Sequence, residues 1–263
     1  MSIDTSKKLI IENLSVNYDE KEILKNVNIN LKQGETTILL GLNGAGKTTL
    51  LKTISGLVKY KSGKIRYDDN EFLKWSNKER GKLISYIPQY IHTNQNYMVE
   101  DIILMGITPY LGIFDMPSEE HYKMVDDILK KLNIYHLKSK CIGELSGGER
   151  RMVYLGRILM QECKILLLDE PNTFLDYVRQ HDFFSFIDKF IKDNNLIALV
   201  TVHDINLALR YGDKIIILSD KSVVETIDCT KEGYEIKFVE CMKRVYNREL
   251  ELIYTKVGPM VVC

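Results

Sequence analysis

The run Gly41-Leu42-Asn43-Gly44-Ala45-Gly46-Lys47-Thr48-Thr49 constrains this chain more than any other stretch. It matches G-x-x-x-x-G-K-[ST], with Gly41, Gly46, Lys47 and Thr48 at the fixed positions. A loop that binds a triphosphate must turn its backbone N–H groups inward, and residues without a Cβ let the backbone close that tightly. Lys47 then offers a point charge to the outer phosphates, and the Thr48 hydroxyl offers a ligand to Mg²⁺. The flanks agree. Thr36 to Leu40 is a short β-favouring run, and Leu50, Leu51, Ile54 and Leu57 recur at helical spacing. A strand, loop and helix in that order aim the positive end of the helix dipole at the phosphates.

A chain of 263 residues can hold one large α/β domain, or a core with a subdomain inserted in it. Lys plus Arg number 36 and Asp plus Glu number 36, so the basic excess of a nucleic-acid reader is missing. The local run Lys59-Tyr60-Lys61-Ser62-Gly63-Lys64 reads as a solvated turn. Cys141, Cys163, Cys229, Cys241 and Cys263 are scattered, with no C-x-x-C, and read as reduced thiols rather than a disulfide frame or zinc site. Met1-Ser2-Ile3-Asp4 lacks the apolar core of a signal peptide, and no run of 18 apolar residues occurs, so a soluble chain is expected.

Leu14, Val16 and Tyr18 alternate with polar residues, as do Val27, Ile29 and Leu31, with Asp19 to Glu22 as the turn between. Strands with one solvated face predict an antiparallel sheet near the N-terminus. Tyr18 closes its strand as an exposed aromatic, equally suited to stacking on a purine or to an ordinary strand position. Residues 63–72 read as a hairpin with Asp68-Asp69-Asn70 at its tip, and Leu83 to Ile87 as a strand ending in Pro88-Gln89. From Val99 to about Leu145 the pattern is helical. Its clearest helix starts at the N-cap Ser118 and presents Val125, Ile128, Leu129 and Leu132 on one face.

Leu145-Ser146-Gly147-Gly148-Glu149 opens a further helix with Met152, Leu155 and Leu159 inward. Ser146 and Glu149 form a capping box, but two glycines are poor formers of a first turn. They make sense if an anion approaches the exposed N–H groups. Ile165 to Leu168 is continuously apolar, as a parallel strand buried on both faces should be, and ends in Asp169-Glu170-Pro171. Two carboxylates at the carboxyl end of a core strand stand where α/β sheets bind ligands. Ile197 to Val202 repeats the pattern before His203-Asp204, and Lys214 to Leu218 is one more core strand. From Ser219 onward short strand-like and helical pieces carry no evident chemistry.

Taken together, these segments resemble the nucleotide-binding subunit of ATP-binding-cassette transporters over nearly the whole chain. Gly41 to Thr49 is similar to the Walker A loop, Gln89 to the Q-loop, Leu145 to Glu149 to the LSGGE signature, Ile165 to Glu170 to Walker B, Asp176 to the D-loop and His203 to the switch histidine. The resemblance implies an α/β fold: a P-loop NTPase core with a mostly parallel sheet, an N-terminal antiparallel β-subdomain and an inserted helical subdomain. Residues 1–88 and 160–219 would form the core, 89–159 the helical part carrying the signature, and 220–263 a C-terminal extension. It also implies roles. Tyr18 would stack on adenine; Gly41, Asn43, Gly44, Ala45, Gly46, Lys47, Thr48 and Thr49 would hold ATP. Thr48, Gln89 and Asp169 would organise Mg²⁺. Glu170 would be the general base or water-positioning group, with His203 and Gln89 beside the γ-phosphate. Ser146, Gly147, Gly148 and Glu149 would serve the nucleotide of a second, identical subunit packed head to tail, and Asp176 would join the nucleotide-binding residues. The partners implied are that second copy, integral-membrane permease subunits and, indirectly, a substrate-binding protein, with the chain peripheral on the cytoplasmic face of the membrane.

A narrower resemblance concerns cargo. Gly106-Ile107-Thr108-Pro109-Tyr110-Leu111-Gly112, His203-Asp204-Ile205-Asn206-Leu207-Ala208 and the closing Val245 to Val262 are similar to segments of cassettes that import iron–siderophore, haem or cobalamin. Ile107 stands where that group has Arg, Asn172 where it has Thr, and Arg150-Arg151 where it has Arg-Gln. A cassette for another solute or an exporter is the alternative. One of translation or DNA repair is disfavoured by the single cassette, the absence of heptads and the zero net charge.

Overall fold

The computed structural model describes residues 7–90, 95–173 and 175–263; the N-terminal tetrapeptide Met1 to Asp4 lies outside them. Strands β1 (Lys8–Tyr18) and β2 (Lys21–Lys32) pair antiparallel. After β3 (Thr36–Leu40) the Gly-rich loop opens α1 (Lys47–Ile54). Strand β4 (Ser62–Tyr67) returns to the free edge of β1, giving an antiparallel sheet of order β2-β1-β4. Then come α2 (Asn77–Leu83), β5 (Ile84–Ile87), α3 (Val99–Leu104), α4 (Glu119–Lys131) and α5 (Gly147–Gln161). The core resumes with β6 (Ile165–Leu168), α6 (Tyr177–Asp193), β7 (Ile197–Thr201), α7 (Ile205–Tyr211), β8 (Lys214–Ser219) and β9 (Ser222–Asp228). Helix α8 (Tyr234–Tyr246) and a hairpin of β10 (Glu251–Thr255) and β11 (Gly258–Val262) complete the chain.

The main sheet has the order β5-β6-β7-β3-β8-β9, parallel except for β9. Its central strands bury both faces. Leu166, Leu168, Ala198 and Val200 join a core shared with α3 to α6, while Ile165, Leu167, Ile197 and Leu199 join one shared with β1, β2 and α1. That two-sided burial is why the apolar runs are continuous instead of alternating. The fold is therefore α/β, with a mostly parallel sheet, an antiparallel N-terminal sheet and a helical insertion, as the sequence predicts. β9 lies on the main sheet, inside the span expected to be an extension.

Three local expectations change. Residues 63–72 do not make a free-standing hairpin: Tyr67 and Asn70 close a two-residue turn through one bridge, and the chain then bends into a 3-10 turn over Phe72–Lys74. Phe72 is fully buried, so its side chain draws the segment inward before a second strand can form. In α5, Met152 and Leu159 are only half-buried, while Val153, Tyr154, Ile158 and Met160 are buried with Leu155. The helix packs against both α3 and α4, so more than one stripe is covered. In α4, Val125, Leu129 and Leu132 are buried as predicted, with Ile128 half-buried at the margin.

Candidate functional site

β3 delivers the chain to the loop at the carboxyl edge of the sheet, where Gly41 lies against the carbonyl oxygen of Leu218 on the neighbouring strand, so close that a Cβ would collide with it. Gly46 has φ 104°, a left-handed conformation, and a Cβ there would meet Leu24 Cδ2 at 2.7 Å. These two positions force glycine and fix the curvature of the loop. Lys47, the first residue of α1, is buried, and its ammonium donates to Gly41 O at 2.7 Å and Leu42 O at 3.2 Å. Burial lowers its pKa below the ordinary lysine value, and the nearby Glu170 and Asp169 carboxylates oppose that shift. A strongly anionic ligand would favour the charged form further, so this cradle fits a polyphosphate.

β6 ends in Asp169 and Glu170, both buried. Asp169 is 1% exposed, and each carboxylate oxygen accepts a hydrogen bond: Oδ1 from Thr201 Oγ1 at 2.9 Å, Oδ2 from the Tyr86 hydroxyl at 3.3 Å. The Tyr86 phenol is pushed well above its usual pKa, by burial first and then by Asp169. It stays protonated and can donate. Glu170 has φ 47°, which costs a non-glycine residue about 1 kcal/mol or more. Its N–H donates to Thr201 Oγ1 at 2.7 Å, and its carbonyl accepts from Thr173 Oγ1 at 2.9 Å. Its side chain accepts from Gln89 Nε2 at 2.5 Å and pairs with His203 Nε2 at 2.5 Å.

Lys47, Gln89, Asp169, Glu170 and His203 therefore converge at the carboxyl ends of β3, β5, β6 and β7. Gln89 reaches Glu170 rather than Asp169, so the residue expected to help organise a metal is held by the expected base. Among the described residues no three His, Cys, Asp or Glu side chains cluster as a metal site. Mg²⁺ characteristically takes one or two protein ligands plus phosphate oxygens and waters, so a set of Asp169 and the half-buried Thr48 fits it. Tyr18, at the end of β1, is 44% exposed, as a stacking surface requires. Asn43 and Gly44 are exposed on the loop, with Ala45 half-buried and Thr49 buried.

The remaining expected residues form a second group, where the N-terminal ends of α5 and α6 meet. Ser146 caps α5: its N–H and hydroxyl donate to Glu149 Oε2 at 2.8 and 2.6 Å, and these bonds hold the Glu149 carboxyl below its ordinary pKa. Ser146 and Gly147 are exposed. A Cβ built on Gly148 would find nothing nearer than Arg179 Nη1 at 3.5 Å, an ordinary contact, so packing inside the subunit does not demand glycine there. Arg151 donates to Thr173 O at 2.8 Å, tying α5 to the segment after Glu170, and burial pushes its pKa down to about 10. Asp176 caps α6 by accepting from Arg179 N–H at 2.9 Å and is exposed beside Tyr177 and Val178.

Sequence reading missed Thr201 and Tyr86. The available signal was a single hydroxyl in the apolar run Ile197 to Val202, two positions before His203. Thr is also a good strand former, so it passed as part of the pattern.

A family model described as "ABC transporter" matches residues 24–173. The chain is 39% identical over 216 residues to a "probable iron chelatin transport ATP-binding protein" of Helicobacter pylori, covering 82% of this chain and 85% of the relative. Its fold superposes on an ABC transporter solved in an inward-facing conformation, with TM-score 0.82 and 26% identity over 97% of this chain and 96% of that one. A dimeric bacterial ABC transporter cassette matches with TM-score 0.74 and 27% identity, over 84% of this chain and 98% of that one.

Proposed function

Since this chain belongs to the ABC transporter family, we propose that it is the ATP-hydrolysing motor of an importer for a metal chelate, whether iron–siderophore, haem or cobalamin. The family hydrolyses ATP, and the chain's fold is that of its ATPase subunit. The observation that carries the cargo assignment is the likeness to the Helicobacter protein named for iron chelatin transport.

In this reading the loop amides from Gly41 to Thr49 and Lys47 bind the β- and γ-phosphates, and Tyr18 stacks on the adenine. Thr48 and Asp169, with Gln89 once it leaves Glu170, would hold Mg²⁺ and its waters, and the ion would supply neutralisation of charge on the phosphoryl group in transfer. Glu170 takes the proton of the attacking water. Gln89 and His203 each meet one oxygen of the Glu170 carboxylate, and the acceptor sites left on those oxygens can receive the attacking water.

Residues 89–159 act as the arm that carries the signature to a second copy of the chain. One P-loop and one signature per chain make two composite sites per head-to-tail homodimer. Two features support this: Gly148 has no steric need for glycine within its own subunit, and the exposed Ser146, Gly147, Asp176 and Tyr177 are available to another molecule. Among the described residues no helix is long and apolar enough to cross a membrane. In this reading cargo crosses through a separate permease, with this subunit peripheral on its cytoplasmic face and a substrate-binding protein delivering cargo. The test is reconstitution with the candidate permease in liposomes. ATP-dependent uptake of an iron–siderophore, haem or cobalamin, lost on Glu170→Gln, is expected. Coupled transport of an unrelated solute, with none of these three moved, would overturn the cargo assignment.

A further inference from the structure

Asp169 and Glu170 are the two residues that follow β6, and they have to do different things: one to face a metal, the other to face water. Successive residues on a strand point to opposite faces, so regular β-structure would send the two carboxylates apart. The strand ends at Leu168, and the φ of 47° at Glu170 turns that residue away from the direction a continued pleat would give it. A left-handed conformation in a non-glycine residue persists only where its surroundings hold it.

The Glu170 carbonyl is held by Thr173, and its N–H by the side chain of Thr201, fully buried on the adjacent strand β7. Its single hydroxyl accepts from the Glu170 N–H at 2.7 Å and donates to Asp169 Oδ1 at 2.9 Å. One oxygen atom thus fixes the backbone of one carboxylate residue and the side chain of its neighbour. The same residue lies two positions before His203, whose ring nitrogen meets Glu170 Oε1. Donor and acceptor capacity are both used in this arrangement, which no methyl group can reproduce.

We propose that Thr201 is a positioning residue for both carboxylates: it orients Asp169 toward the metal and locks Glu170 in the turned conformation that presents its side chain to water. The inference rests on the roles given to Asp169 and Glu170 above. Thr201→Val keeps the volume and the β-branch and removes the hydroxyl. It leaves the buried Glu170 N–H unpaired and frees Asp169 Oδ1, so Asp169 keeps only the longer bond from Tyr86 and Glu170 only the Thr173 bond on its carbonyl, and both are less firmly oriented. A hydrogen bond to a charged group, once removed, corresponds to about a tenfold loss. Thr201→Ser keeps the hydroxyl and loses only a methyl.

The experiment uses the full chain with ATP. Turnover is measured against magnesium concentration, and Mn²⁺ binding to the ATP-loaded protein is followed by electron paramagnetic resonance. Thr201→Val should lower kcat at saturating magnesium about tenfold, raise the half-saturating magnesium concentration about tenfold, and weaken Mn²⁺ binding by a similar factor. Thr201→Ala, smaller and equally unable to donate, should do the same, while Thr201→Ser stays within about twofold of the parent. Thermal unfolding confirms that each variant is folded. The proposal is overturned if either non-donating variant keeps parental kcat and metal affinity, or if Thr201→Ser is as impaired as Thr201→Val. Glu170→Gln is run alongside: if it retains turnover, the role of Glu170 has failed, which is a different failure from that of Thr201.

Discussion

Glu170→Gln separates chemistry from binding most cleanly, because it keeps the shape of the side chain and removes its charge. In the resting site the carboxylate meets two donors, Gln89 Nε2 and His203 Nε2, at 2.5 Å each. A carboxamide has one acceptor oxygen and one NH₂ group, so it can satisfy one of them and must present a donor to the other. Losing a charge-assisted hydrogen bond costs about 1.5–3 kcal/mol, and the half-exposure of His203 brings this toward the lower end. For a domain of this size each kcal/mol lowers Tm by about 2–4 °C, so the variant stays folded at 25 °C. Removing a general base costs about 10²–10⁴ in rate, or roughly 3–5 kcal/mol of barrier. The catalytic loss therefore exceeds the structural one, and a folded, inactive protein is expected. Withdrawing a negative charge from beside the triphosphate should leave ATP affinity intact or raise it, so ATP should hold two chains together. Phosphate release, calorimetry and light scattering with and without ATP and magnesium measure the three quantities. Turnover within threefold of the parent would exclude Glu170 as the base, on the scale of that expected loss. Loss of ATP affinity together with turnover would show that it binds rather than reacts.

Lys47→Ala removes the buried ammonium from the loop, and ATP binding itself should be lost in a calorimetric titration; unchanged affinity would contradict the phosphate-cradle reading. Ser146→Arg, on the exposed cap of α5, should block turnover while a single chain still binds ATP. Mixing it with Lys47→Ala should restore one complete site per heterodimer, whereas no ATP-driven heterodimer would refute sharing between chains. Lys138 bridges Glu100 at 3.4 Å and Asp126 at 2.7 Å, joining α3 to α4, and its pKa is raised, chiefly by its hydrogen bond to Asp126. A raised folded-state pKa means that the contribution is fully present below the unfolded value near 10.5 and is lost as pH climbs through the folded one. Lys138→Ala should thus cost about 0.5–1 kcal/mol at neutral pH and little in strong alkali, as denaturant titrations at the two pH values would show. An equal cost at both would refute the ion-pair origin.

The features legible in the sequence were those whose chemistry tolerates few residue types. Gly41 to Thr49 stood out because a closed phosphate loop needs glycine at positions such as Gly46, and Asp169-Glu170 because charge at the end of an apolar run is costly without a purpose. Two-sided burial of the sheet was visible in the unbroken runs Ile165 to Leu168 and Ile197 to Val202. Features built from common residues or from tertiary pairing were not visible. Helix α2 is seven residues of mostly polar sequence, too short to show a period, and was not anticipated. The failed return strand after Asn70 depends on where Phe72 is buried, which local pattern does not encode. That Gln89 and His203 meet on one carboxylate follows only from placing β5, β6 and β7 side by side.

That meeting also connects the base to parts of the chain far from it in sequence. Gln89 follows β5 at the entrance to the helical block, so its hold on Glu170 ties that block to the end of β6. His203 is followed at once by Asp204, whose Oδ1 accepts from Asn206 N–H at 2.7 Å and Leu207 N–H at 3.3 Å and so starts α7. Asn206 in turn spends its amide on the closing hairpin, donating to Val261 O at 3.1 Å and accepting from Val261 N–H at 2.8 Å. A side chain that pairs with a strand in both directions acts as one more rung of its ladder, and β11 packs along α7 accordingly. The C-terminal hairpin is thus anchored three residues from His203. The half-exposed His203 ring can leave Glu170 by rotating about its own side-chain bonds, whereas a shift of its backbone would bend the start of α7 or, through the two bonds of Asn206, carry the hairpin with it.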